Sequence, residues 1–119
     1  MLSKKAIRFS SILTEPDRWC QYARCLSKSG ERVGYRHPNA GKVCLDGACE
    51  LISYNSQGDI PYWLAHESMF AAIEEYIGCS ITGCGIEGYN DDRSRSFEEI
   101  KKVCELADEI LNRRKLEIA

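Results

Sequence analysis

The segment Ser96-Phe97-Glu98-Glu99-Ile100-Lys101-Lys102-Val103-Cys104-Glu105-Leu106-Ala107-Asp108-Glu109-Ile110-Leu111 decides the fold class. Ser96 followed three residues later by Glu99 is a capping box, in which each side chain satisfies a backbone N–H that the first helical turn leaves open. Behind it, Ile100, Val103, Cys104, Ala107, Ile110 and Leu111 recur at helical spacing, while Lys101, Lys102, Glu105, Asp108 and Glu109 take the opposite face. The pattern predicts an amphipathic helix over 97–115. Such a helix must bury its apolar stripe against other elements.

Upstream, residues 78–95 carry Gly78, Gly83, Gly85 and Gly88 and read as a long connection between helices. Before it, Pro61 opens a helix over 61–77 that Gly78 closes. Its expected buried face is Tyr62, His66, Met69, Phe70, Ile73, Tyr76 and Ile77, with Trp63 at the edge and partly exposed. Residues 54–59 form a loop. A third helix is expected over 40–54, with Asn39 as its N-cap and a stripe of Val43, Cys44, Gly47, Ala48, Leu51 and Ile52. Gly47 and Ala48 in that stripe leave room for another backbone to come close.

Residues 19–35 support two readings. Trp19, Tyr22, Ala23 and Leu26 fit helical spacing, but Lys28-Ser29-Gly30-Glu31 is a turn signal, which favours a hairpin of 19–27 with 31–35. Leu2, Ala6, Phe9 and Leu13 mark a first helix over 2–14, stopped by Pro16. The fold class is α+β, mostly α: about four helices packed with one short β-hairpin, in a single domain over 1–119.

The chain has 119 residues, 44% hydrophobic and 29% charged, which suits one soluble globular core and not a disordered chain. A net charge of −2 argues against extensive nucleic-acid binding. No apolar run approaches the length of a membrane span, and no signal-like segment opens the chain, so the expected compartment is the cytoplasm. Seven cysteines without a signal segment argue against a secreted disulfide framework.

Six of those cysteines form three C-x4-C pairs, 20/25, 44/49 and 79/84. Zinc sites use tighter spacings, and Cys44 and Cys49 on one helix would point well apart, so core packing is the favoured role and no metal or cofactor is expected. His66 lies on an apolar stripe and reads as a core histidine. No local signature pairs a cysteine with His37 or His66, and no Gly-x-Ser-x-Gly elbow is present. Asn90-Asp91-Asp92-Arg93-Ser94-Arg95-Ser96 is the candidate binding segment, because two arginines beside a helix N-terminus suit a phosphate-bearing ligand. The competing reading is a self-bonded loop in which the arginines pair with Asp91 and Asp92. Trp63 is the candidate anchor of a protein interface.

Three landmarks stand in order: Trp19 before the Ser29-Gly30 turn, Cys44-Leu45-Asp46-Gly47-Ala48, and Tyr89-Asn90-Asp91-Asp92-Arg93-Ser94 leading into Ser96-Phe97-Glu98-Glu99-Ile100. Over residues 19–111 this order resembles DUF6197, a family of small actinobacterial and phage proteins of unknown function. Tyr89 stands where that family usually has tryptophan and Ser96 where it has threonine, and the glycine and proline usual near the arginine are missing. The resemblance implies a phage or mobile-element context but no chemistry. Together these readings lead to a non-catalytic protein that binds a host protein or complex. The alternative is a small-ligand or nucleotide-binding protein using the loop before the last helix. A small cysteine-dependent enzyme is the third reading.

Overall fold

The structure, a computed structural model, describes residue 2 and residues 5–118. Among the described residues there are five helices, four of them of seven residues or more, and a two-stranded antiparallel hairpin, so the chain is α+β and mostly α. In order these are α1 (Phe9–Ile12), β1 (Cys25–Ser27), β2 (Ala40–Val43), α2 (Leu45–Asn55), α3 (Tyr62–Ile77), α4 (Gly85–Asp91) and α5 (Phe97–Ile118), with a short 3-10 turn at Pro16–Arg18.

The last helix forms as its sequence dictates. Glu99 N–H donates to Ser96 Oγ at 3.3 Å and Ser96 N–H donates to Glu99 Oε1 at 3.0 Å, so the capping box closes in both directions. The bond from Ser96 N–H foremost, with Arg95 adding to it, holds the Glu99 carboxyl below its ordinary range. All six residues of the predicted stripe are buried, and α5 makes its most extensive contact with α3.

On α3 the buried face is rotated from the expected one. Leu64, Ala65, Ser68, Met69, Ala72 and Ile73 face the core, whereas Tyr62, Tyr76 and Ile77 are exposed and His66 and Phe70 half-buried. Ala65, Ser68 and Ala72 on the buried face are small, and the helix packs most extensively on α5, so close packing overrode the larger residues' hydrophobicity. The Ser68 hydroxyl is buried but donates to the Leu64 carbonyl at 2.8 Å. Gly78 closes α3 in the left-handed conformation (φ 75°), as expected.

The hairpin is real but its partner strand differs from the sequence reading. The turn forms where predicted: Gly30 has φ 92° and Ser27 N–H donates to the Glu31 carbonyl at 2.8 Å. Beyond it only a single bridge joins Leu26 to Arg32, and the regular partner of β1 is β2. The register pairs Cys25 with Val43, Leu26 with Lys42 and Ser27 with Ala40, leaving Gly41 as a bulge.

Residues 40–43 are therefore strand, not the start of a helix. Cys20 N–H donates to the Val43 carbonyl at 3.1 Å and Cys44 N–H donates to the Arg24 carbonyl at 3.0 Å, bonds that a helix through Val43 would forbid. The N-cap of α2 is Cys44, whose sulfur accepts Gly47 N–H at 3.3 Å; Asn39 lies five residues too early. The small residue at 47 has the predicted use. A Cβ there would sit 2.6 Å from the Arg24 carbonyl oxygen, so only glycine lets β1 lie this close to α2.

The helix expected over 2–14 shrinks to the single turn α1; residues 3 and 4 of that span lie outside the described ones. Leu2 N–H donates to the Ala40 carbonyl at 3.1 Å, which ties the chain start to β2 instead of to a helix. Leu2, Phe9 and Leu13 still reach the core. The turn is held by Asp108, which the amphipathic pattern had put on the solvent face. Its carboxylate accepts Phe9 N–H at 2.6 Å and both Ser10 N–H (3.2 Å) and Ser10 Oγ–H (2.5 Å), a helix N-cap supplied from the far end of the chain.

Candidate functional site

The connection over 78–95 contains α4, and this changes the candidate binding segment. Gly88 hid the helix, yet a Cβ at that position would lie 2.5 Å from the Cys84 Cβ, so the tight turn requires glycine. On α4, Ile86, Tyr89 and Asn90 face inward.

Asn90 is 1% exposed and joins three distant parts of the chain. Its Oδ1 accepts Trp19 Nε1–H at 2.8 Å and Leu45 N–H at 3.1 Å, and its Nδ2 donates to the Cys20 carbonyl at 3.1 Å and to Asp91 Oδ1 at 2.8 Å. Asp91 Oδ1 also accepts Tyr22 N–H at 2.8 Å, which holds Tyr22 at φ 64°. Gln21 Nε2–H donates to the carbonyls of Asn90 (3.0 Å) and Asp92 (2.8 Å). The three sequence landmarks, around Trp19, Cys44–Ala48 and Tyr89–Ser94, thus meet at one buried amide. Asn90 and Asp91 use these bonds to tie segments together, and both also line a cavity of about 240 Å³ with Tyr22, Arg24, Arg32 and Glu87.

The remaining loop residues divide. Asp92 accepts Ser94 N–H and Ser94 Oγ–H, an Asx-type turn that lowers its carboxyl below the ordinary range. Arg95 lies 3.6 Å over the Tyr89 ring, donates Nε–H to the Tyr89 carbonyl and ion-pairs with Glu99 at 2.8 Å. Its guanidinium therefore serves the loop. Arg93 is exposed, apart from these contacts. Of the two arginines expected to grip one anion, Arg95 is thus already committed to Tyr89 and Glu99. The Tyr89 hydroxyl beneath is the one buried side-chain polar atom without a partner among the described residues, and burial pushes that phenol up to about 12.

Five cysteines, Cys20, Cys25, Cys44, Cys49 and Cys104, are buried, and Cys79 and Cys84 are exposed. Burial first, and neighbouring thiols second, raise Cys20 to about 12; burial raises Cys44 to about 11. Both stay as weakly nucleophilic thiols at neutral pH. His66 sits between the Tyr62 and Phe70 rings, at centroid distances of 5.6 and 6.4 Å, and His37 Nδ1 accepts Asn39 N–H at 3.0 Å. Neither imidazole hydrogen-bonds to a described thiol. Among the described residues no group of three or more His, Cys, Asp or Glu side chains is placed to hold a metal ion.

Several large aromatic residues are exposed. Trp63 is 57% exposed, as its edge position suggested; Tyr62, its neighbour at the start of α3, and Tyr54, at the end of α2, are 38% and 46% exposed. Tyr35, Glu50, Ser53, Tyr54 and Tyr62 line one cavity of about 320 Å³. Its walls are held from behind. Tyr62 Oη–H donates to Asp46 Oδ1, Arg24 Nη2 lies 2.9 Å from Asp46 Oδ2, and Arg24 Nη1 bonds Glu50 Oε1. Asp46 is buried in the first turn of α2, so this ion pair also joins β1's approach to that helix. Burial is the larger influence on both Tyr62 and Glu50 and raises both, with the Asp46 bond adding to the rise at Tyr62. Tyr35 meets Tyr54 edge-on at 5.7 Å, and the Arg36 guanidinium lies 4.7 Å over the Tyr54 ring. Sequence reasoning named Trp63 as an interface anchor but did not join Tyr35, Glu50, Tyr54 and Tyr62 into one cavity, because nothing in their spacing links them.

No helix among the described residues is long and apolar enough to cross a membrane. No family model, curated protein or solved structure matches the chain, so the functional reading rests on this geometry and on the three landmark motifs.

Proposed function

We propose that the chain is a non-catalytic binding protein that acts on a protein partner through the aromatic surface of Tyr54, Tyr62 and Trp63. The observation that carries this reading is the exposure of three large aromatic residues at the end of α2 and the start of α3, two of which, Tyr54 and Tyr62, line one cavity. Tryptophan and tyrosine dominate the energetics of protein interfaces because a rigid, amphipathic ring buries much area at little entropic cost. The internal commitments of Asn90 and Arg95 count against the phosphate-ligand reading, and the buried thiols count against a cysteine nucleophile. A phage or mobile-element setting, with a host protein as the target, rests on the resemblance alone.

The test is affinity capture from the native host with the wild-type chain and with Trp63→Ala, an exposed substitution that leaves the fold intact. Wild type should retain a protein at stoichiometric level, and Trp63→Ala should lose it. An identical capture profile for the two refutes the reading.

A further inference from the structure

The cavity between the end of α2 and the start of α3 has a composition that selects its occupant. Three tyrosines, Tyr35, Tyr54 and Tyr62, line it together with Ser53 and the carboxylate of Glu50. Aromatic faces carry negative charge density and attract a cation placed over them. A carboxylate at the same wall adds a counter-charge. Asp46, Glu50 and, at 3.9 Å, Glu87 surround the guanidinium of Arg24; with Arg36 over the Tyr54 ring, three carboxylates still outnumber two guanidiniums here. Arg24 engages Oε1 of Glu50, and Oε2 has no partner among the described residues.

We propose that the Tyr35–Tyr54–Tyr62 cavity receives an arginine side chain of the protein partner, stacked on the tyrosine rings and bonded to Glu50. Arginine suits the site better than lysine because its flat guanidinium stacks on rings and forks onto carboxylates. The chain itself illustrates both contacts here. Arg36 lies over the Tyr54 ring at 4.7 Å without lining the cavity, and Arg24 bonds Glu50 from behind. Tyr62 is fixed as a wall by its bond to the buried Asp46, so the cavity is built before anything enters it. Burial has raised the Glu50 carboxyl, and an incoming cation would reverse that cost.

The inference rests on the protein-binding reading and has its own test. The full chain, labelled with nitrogen-15, is titrated with the peptide acetyl-Gly-Arg-Gly-amide and with versions carrying norleucine or trimethyllysine in the middle. The arginine peptide should shift the amides of Tyr35, Glu50, Ser53, Tyr54 and Tyr62. Glu50→Gln and Tyr54→Leu should each weaken it by about tenfold, the scale of one desolvated cation–ring contact. Tyr54→Phe, which keeps the ring, should bind as wild type does, and it keeps the proposal testable if Tyr54→Leu fails to fold. Equal shifts with the norleucine peptide, shifts elsewhere, or tighter binding of trimethyllysine overturn the arginine assignment. If those results appear while Trp63→Ala still abolishes capture, only the cavity assignment falls. If capture is indifferent to Trp63, the reading beneath it falls.

Discussion

Replacing Asn90 with alanine should cost this protein a large part of its stability. The amide is 1% exposed and serves four groups: Trp19 Nε1, Leu45 N–H, the Cys20 carbonyl and Asp91 Oδ1. Asp91 keeps Tyr22 N–H, and Trp19 is half-buried, so water can reach part of what they lose. Leu45 and Cys20 are buried, at 0% and 6% exposure, and their backbone groups would be left without partners. Each such orphan costs about 1–3 kcal/mol, so Asn90→Ala should lose about 3–4 kcal/mol. Against a typical total of about 5–15 kcal/mol this is severe, and it should lower Tm by about 10–15 °C. Guanidinium denaturation followed by far-ultraviolet circular dichroism measures the loss. Tryptophan emission should shift in the same variant, because Trp19 loses the acceptor that orients its indole. A loss below about 1 kcal/mol would refute the reasoning, since that is what a solvent-facing ligand residue would give.

Two further outcomes are expected. Tyr89→Phe removes the one buried hydroxyl that has no partner among the described residues, so it should raise stability by about 1 kcal/mol in the same denaturation assay; a loss of that size would mean the hydroxyl is satisfied. Thiol titration of the native protein at neutral pH should modify two cysteines quickly, Cys79 and Cys84, and the five buried ones only on unfolding. Fast labelling of Cys20 or Cys44 would contradict their burial.

The role found for Asn90 also gives the landmark motifs a physical meaning. A tryptophan, the N-terminus of a small-residue helix and an Asn-Asp pair are far apart in sequence, yet one side-chain amide needs all three in place. A motif of this kind can hold a fold together without marking a binding site. The aromatic cavity lies elsewhere, on the face formed by Tyr35 and the adjoining ends of α2 and α3.

Local patterns in the sequence determined the capping box of α5, its buried stripe, the glycine end of α3 and the Gly30 turn. Each is settled within a few residues by hydrogen bonding, periodicity or the absence of a Cβ. Only the tertiary structure decided the rest. Val43 fits a strand as well as a helix until Cys20 and Arg24 bond to either side of it. The face of α3 was chosen by the close approach of α5, Asp108 was drawn inward by an N-terminal turn 98–99 residues away, and α4 formed in spite of its glycines. The same holds for the candidate site, since Tyr35, Glu50 and Tyr62 acquire a common purpose only when three separate segments fold onto one another.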